Sequence, residues 1–160
     1  MATERHTLTA LVDNEAGVLA RVVGLFSGRG YNIESLTVAE VDPVQRTSRI
    51  TIVTSGPPAV IEQIEAQLRR VVPVHAVTNW TFASHGIERE MALVKVSRHA
   101  LKAAKAAAET FGARALDEGS GVFELTDAPA KISSFIEAMR GLGLTDVSRT
   151  GVAAISRDNG

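Results

Sequence analysis

Leu8 and Ala10 alternate with polar neighbours between His6 and Val12, before two consecutive apolar positions, and this spacing predicts a strand. Polar Asp13, Asn14 and Glu15 end it. From Ala16 the period changes: Val18, Leu19, Val22, Val23 and Phe26 fall on one face of a helix, which Gly28 and Gly30 terminate. Tyr31 to Val41 is again extended, with Leu36 and Val38 on one side. A turn is expected around Asp42-Pro43, and Arg49 to Thr54 returns with Ile50 and Ile52 on one side, giving an antiparallel hairpin. Ser55-Gly56-Pro57-Pro58 opens a second helix whose Ile61, Ile64 and Leu68 share a face, and Val71 to Phe82 resumes extended character. The predicted order is βαββαβ.

The pattern then begins again. Glu88-Arg89-Glu90 leads into an apolar run from Met91 to Val96. An Ala- and Lys-rich helix follows with Leu101, Ala104, Ala108 and Phe111 on one side, then a strand from Val122 to Leu125, then a helix opened by Pro129. Pro58, Ile61, Ile64 and Leu68 correspond to Pro129, Ile132, Phe135 and Met139 at one constant offset, which also takes Ile52 onto Phe123. Two related βαββαβ halves account for these coincidences better than one wound domain. The fold class expected is α+β, with two ferredoxin-like units: residues 1–82, a linker at 83–87, and residues 88–160.

Composition narrows the functions available. Lys+Arg 17 against Asp+Glu 18 gives a net charge of −1, so a nucleic-acid reader would need a local basic stripe, and no run along the chain supplies one. Nor does the strand Arg49 to Val53 offer the aromatic residues on which an RNA-recognition sheet stacks bases. Without cysteine there are no disulfides, thiolate nucleophiles or sulfur-ligated metals. No apolar run approaches the ~18 residues of a membrane span, and the start carries no basic region followed by an apolar stretch, so a cytoplasmic location is expected, with neither membrane nor nucleic acid as partner.

The catalytic inventory is thin. No phosphate-loop, dinucleotide, zinc-protease or nucleophile-elbow motif occurs. His6, His75, His85 and His99 are scattered singly, without a second ligand at metal spacing, and read as structural or solvated. Gly119-Ser120-Gly121 reads as a hairpin turn rather than an anion cradle, and Lys102 and Lys105 as the solvated face of their helix. No catalytic residue and no metal site is expected.

Most specific is the first strand-to-helix junction, Asp13 to Leu19, together with Gly28 to Ile33 beyond the helix. One reading is structural: Asn14 caps the helix, Asp13 and Glu15 complement its positive end, and glycines close it. The other is that Gly17 leaves backbone N–H groups unobstructed for a carboxylate, while an Asn amide accepts from an ammonium and donates to a carboxylate. Those are the needs of a free amino acid.

The run Asp13 to Ser27, followed by Arg29-Gly30-Tyr31-Asn32-Ile33-Glu34-Ser35-Leu36-Thr37-Val38, resembles the regulatory small subunits of acetolactate (acetohydroxyacid) synthase. The resemblance continues through Arg49-Ile50-Thr51-Ile52, the helix of Ile61 to Glu65, Glu88-Arg89-Glu90, Leu93-Val94-Lys95-Val96 and the ending Arg149-Thr150-Gly151-Val152. It implies an N-terminal ACT domain, a C-terminal ferredoxin-like domain, and a non-catalytic subunit. Its partners would be a second copy, joined through the ACT domains, and a catalytic large subunit holding thiamine diphosphate, Mg and FAD. It further implies that valine, or another branched-chain amino acid, binds between two ACT domains as a feedback inhibitor. Asn14, Gly17, Val18 and Leu19 would come from one copy and Asn32 and Ile33 from the other. Ala16 stands where many members carry Ser, and Gly28 replaces a larger residue. An alternative is an amino-acid-sensing ACT protein that acts on another enzyme or regulator.

Overall fold

Strand β1 (Glu4–Asp13) pairs antiparallel with β3 (Thr47–Gly56) over its whole length, so that Leu8, Ala10 and Val12 lie beside Ile52, Ile50 and Ser48. The alternation predicted for both strands follows from this register, because side chains on a strand point to opposite faces with a period of two. The computed structural model describes residues 4–81 and 86–158. Beside these strands lie β2 (Ser35–Asp42) and β4 (Val74–Asn79), giving the order β2-β3-β1-β4. Helices α1 (Val18–Ser27) and α2 (Pro58–Leu68) bury Val18, Val22, Phe26, Ile61, Ile64 and Leu68 against the apolar sheet face. Residues 152–158 belong to this first unit, which spans Met1–Ile87 and Val152–Gly160. Side chains of the first sheet bond Val152 and strand β9 (Ala153–Ser156): Thr37 Oγ1 donates to the Val152 carbonyl (2.9 Å), Val152 N–H to Ser35 Oγ (3.2 Å) and Arg49 to the Ala154 carbonyl (3.2 Å).

The second unit, Glu88–Gly151, repeats the plan. Strand β5 (Gly86–Val96), helix α3 (Leu101–Phe111) after a 3-10 turn at Arg98–Ala100, short β6 (Arg114–Ala115), β7 (Val122–Asp127), helix α4 (Pro129–Leu142) and β8 (Leu144–Arg149) give the sheet order β6-β7-β5-β8. Strand for strand, this is the arrangement of the first unit. The internal repeat is physical: Pro58 and Pro129 each open a helix at its first turn, and Ile61, Ile64, Leu68 and Ile52 are buried just as Ile132, Phe135, Met139 and Phe123 are. The fold is thus α+β with two ferredoxin-like units, as the periodicity predicts.

Several details differ from the pattern reading. The second strand begins at Ser35 rather than Tyr31, because Gly30 in the left-handed region (φ 69°) and the Tyr31 N–H bond to the Phe26 carbonyl (3.0 Å) finish the helix and carry Tyr31 to Glu34 through a loop. Tyr31 then packs edge-on against Phe26. The extended stretch after α2 narrows to β4, since Val71 and Pro73 take part in a turn closed by Val74 N–H on the Val71 carbonyl. Strands β6 and β8 carry mostly exposed residues, so no apolar alternation announces them. Of the expected linker, Ala83, Ser84 and His85 lie outside the described residues, and Gly86 and Ile87 are part of β5. Among the described residues no helix is long and apolar enough to cross a membrane.

Candidate functional site

The β1–α1 junction is held by bonds from three directions. Asp13 N–H donates to the Pro73 carbonyl (3.2 Å), Asn14 N–H to the Arg46 carbonyl (2.7 Å) and Arg21 Nη1 to the Val72 carbonyl (2.6 Å). The Asp13 carboxylate also meets His75 Nε2 at 2.5 Å. The loop leading into α1 is therefore fixed to the β2–β3 turn on one side and the segment before β4 on the other.

Asn14 does not cap the helix. Gly17 occupies the N-cap position, with φ 86° and ψ −8° and no side-chain cap. A left-handed residue there costs an L side chain about 1–2 kcal/mol, which explains the glycine at this position. Nothing lies within 4 Å of where its Cβ would stand, so the space above the helix start is open. The N–H groups of Leu19 and Ala20 donate to no acceptor among the described residues, and the Val18 N–H reaches only the Glu15 carbonyl at 3.4 Å. Two unclaimed donors, and a third only weakly bonded, thus stand at the positive end of a helix dipole beside the open space over Gly17. Asn14 lies beside them and its Nδ2 donates to Glu40 Oε1 at 3.0 Å.

The named residues divide by role. Val18 is a core residue at 2% exposure, so only its backbone is available, whereas Leu19 is 40% exposed. Asn32 and Ile33 sit in the loop after α1. There the Asn32 carbonyl accepts from Thr54 Oγ1 (2.6 Å), Glu34 N–H donates to the Val53 carbonyl (2.8 Å), and Glu34 also pairs with the Ser55 hydroxyl. The Asn32 side chain is exposed, and Ile33 is half-buried against the core. Asn14 and Gly17 stand before the ten-residue helix α1, Leu19 lies in its first turn, and Asn32 and Ile33 come after it, roughly 15 Å from its start at 1.5 Å per residue. One chain does not bring the two groups together.

Glu40 is the residue that the sequence pattern misses. It lies 26 positions from Asn14 in an exposed part of β2, and only the register Glu40↔Ser48, one strand from Val12↔Ser48, puts its carboxylate beside the junction. No local signal marks it. The histidines behave as expected of structural residues: His6 is fully buried, His75 pairs with Asp13, His99 is exposed, and His85 lies outside the described residues. Gly119 and Gly121 adopt positive φ in the turn before β7, where Ser120 N–H donates to Asp117 Oδ1 (3.1 Å). Among the described residues no group of three or more His, Asp or Glu side chains is placed to hold a metal ion.

Comparison with known proteins agrees with this architecture. Residues 8–76 match the family model described as the AHAS small subunit-like ACT domain, and residues 89–158 match that of the small subunit of acetolactate synthase. The chain is 40% identical over 159 residues to the probable acetolactate synthase small subunit of Archaeoglobus fulgidus, covering 97% of this chain and 98% of that protein. It is 40% identical over 158 residues to the acetolactate synthase isozyme 3 small subunit of Escherichia coli K12, covering 96% of each. The crystal structure of the acetolactate synthase small subunit from Thermotoga maritima superposes with a TM-score of 0.84 at 34% identity, covering 98% of this chain and 99% of that one. Both halves of the chain, and the motif around Asn14 and Gly17, thus fall within one lineage of sequence and fold, and the chain belongs to the acetolactate synthase small-subunit family.

Proposed function

We propose that the chain is the non-catalytic regulatory subunit of a cytoplasmic acetolactate synthase, and that its ACT unit binds valine or a related branched-chain amino acid between two copies of itself. The observation that carries this reading is the separation of the two groups along α1. Asn14, Gly17, Val18 and Leu19 form one half-site with free N–H groups. Asn32 and Ile33 form the complementary half at the far end of the helix, so a site containing both needs two chains related by a two-fold axis.

The chemistry of each half suits a zwitterion. The N–H groups of Val18, Leu19 and Ala20 offer carboxylate donors, and the open space over Gly17 lets the ligand approach the backbone. Glu40, held by Asn14, supplies a negative charge for the ammonium, and the Asn14 amide keeps its second N–H and its oxygen for the ligand. Exposed Leu19 and half-buried Ile33 supply the apolar surface for a branched side chain. Each charged end of the ligand is then satisfied, as burial requires.

In this reading the large subunit carries thiamine diphosphate, Mg and FAD and performs the chemistry. The small subunit activates it by stabilising its active arrangement, and valine withdraws part of that stabilisation. Coupling of this kind is reciprocal, typically about 1–3 kcal/mol, so valine binds more weakly to the subunit in its active complex. Titration calorimetry of the full-length chain with valine tests the site. Binding that is lost in Asn14→Ala, with the variant still folded, supports it, and unchanged affinity refutes it.

A further inference from the structure

Arg21 and Leu25, four residues apart, share one face of α1, and Arg29 follows just beyond the end of the helix. Across from that face stand Gln67, Arg70 and Val71, at the end of α2 and in the turn after it. Leu25, Arg29, Gln67, Arg70 and Val71 line a cleft of 310 Å³ between the helices. Two arginines and no carboxylate line it, and neither Arg29 nor Arg70 makes an ion pair among the described residues. Arg21 extends the same face, and its one hydrogen-bond acceptor, the Val72 carbonyl, is neutral and leaves the guanidinium charge uncompensated. Arg69, next in sequence to Arg70, points elsewhere: it pairs with Glu65 (3.5 Å) and donates to the Val77 carbonyl.

Helix dipoles explain only part of this. Both α1 and α2 end near the cleft, and a cation is favoured in a last turn, but Arg21 is in the first turn of α1, where a cation is disfavoured. In a chain whose charges otherwise nearly balance, two uncompensated guanidinium groups on one groove, with a third one helical turn from it, are a local excess. The floor is apolar, from half-buried Leu25 and Val71, and Val72 beside it is 75% exposed. An apolar floor with an arginine rim is the composition of a protein-docking surface, where arginine is enriched among the residues that dominate affinity. A small free anion would gain only exposed ion pairs, each weak by itself, against the full cost of association.

We infer that the α1–α2 groove docks an acidic segment of a protein partner, its carboxylates on Arg21, Arg29 and Arg70 and an aliphatic side chain on Leu25 and Val71. The inference rests on the proposed function, in which that partner is the catalytic large subunit. The test is association of the full-length chain with the large subunit of the same source, measured by titration between roughly 50 and 300 mM salt. The double charge reversal Arg29→Glu/Arg70→Glu is expected to weaken association at least tenfold at low salt and to flatten its salt dependence. Arg69→Glu, on the other side of α2, is expected to leave both unchanged. Valine titration of the same variants confirms that the ACT site, which does not include these residues, is intact. The milder Arg29→Gln/Arg70→Gln pair covers the case in which the reversal fails to fold. A folded variant with wild-type affinity and salt slope overturns the docking surface alone. No association of the wild-type chain with the large subunit overturns both this and the regulatory reading.

Discussion

The two units share one strand order and one helix placement, yet they solve the first crossover differently. In the ACT unit, β1 leads through an open loop to a left-handed Gly17, and α1 begins with unclaimed N–H groups. In the second unit, β5 leads through the 3-10 turn Arg98–Ala100, and α3 follows from Ala100 in right-handed geometry. The strand after the helix differs too: β2 has 8 residues, with Val38 and Val41 exposed, while β6 has 2. The first unit keeps a reactive helix end and a long outer strand, and the second closes both. Equivalent topology thus accommodates two different helix starts.

Their cores differ in how they fill space. The first combines aliphatic side chains with one large ring, Phe26. The second places Ala104 and Ala108 on its first helix and Ala100 in the turn before it, which leaves volume for Phe123 and Phe135; Phe111 and Phe135 meet with their rings tilted, centroids 5.5 Å apart. The alanine-rich helix is therefore the small half of a large-small packing arrangement, rather than an independent signal of a binding face.

This comparison can be broken at several points. Phe135→Ala removes the ring that the alanine face accommodates and is expected to cost about 3–5 kcal/mol, read by denaturant unfolding; a cost below about 1 kcal/mol would mean that the core collapses around the gap. Glu90→Gln comes next. Glu90 is 4% exposed and receives both Arg149 Nε (2.8 Å) and Nη2 (2.7 Å), so the guanidinium is left with a neutral partner. Arg149 is itself 40% exposed, and the expected loss is discounted to about 2 kcal/mol.

Gly17→Ala sharpens the contrast at the helix start. It should cost about 1 kcal/mol through backbone strain alone, since the space for a methyl group is open, and it should weaken valine binding by placing that methyl over the free N–H groups. Thermal unfolding together with calorimetry checks both effects. The smallest effect is one of pH. The Lys131 ammonium, and then the Ala128 N–H, hold the Asp127 carboxyl below its usual range at the start of α4. A depressed folded value stabilises above the unfolded value and is lost as pH falls through the folded one. The ionisation-dependent advantage of wild type over Asp127→Asn is therefore expected to begin shrinking as pH falls below about 4 and to vanish only below the folded value, as seen in unfolding midpoints across pH 2–7.

Much of this molecule was legible along the chain. The 3.6-residue spacing of Val18, Val22 and Phe26, the alternation around Ile50 and Ile52, and the recurrence of the Pro58 helix at Pro129 all reflect local geometry, which periodicity encodes directly. The half-sites at Gly17 and Asn32 stood out for the same reason, because glycine and asparagine mark backbone positions that few residues tolerate. Of the two readings open for Asn14, the capping one fails because Gly17 takes the N-cap position, and spacing cannot distinguish a capping amide from one that reaches across to Glu40.

By itself, then, the sequence determined the two βαββαβ units, their helix faces and the junctions where a ligand could meet backbone, since each follows from neighbours a few positions apart. Tertiary structure alone decided that Glu40 stands beside Asn14, that Asn14 and Asn32 lie at opposite ends of α1, and that Arg29 and Arg70 meet in one groove of a chain without a basic run. Those proximities come from sheet register and helix packing, and neither is written in any local period.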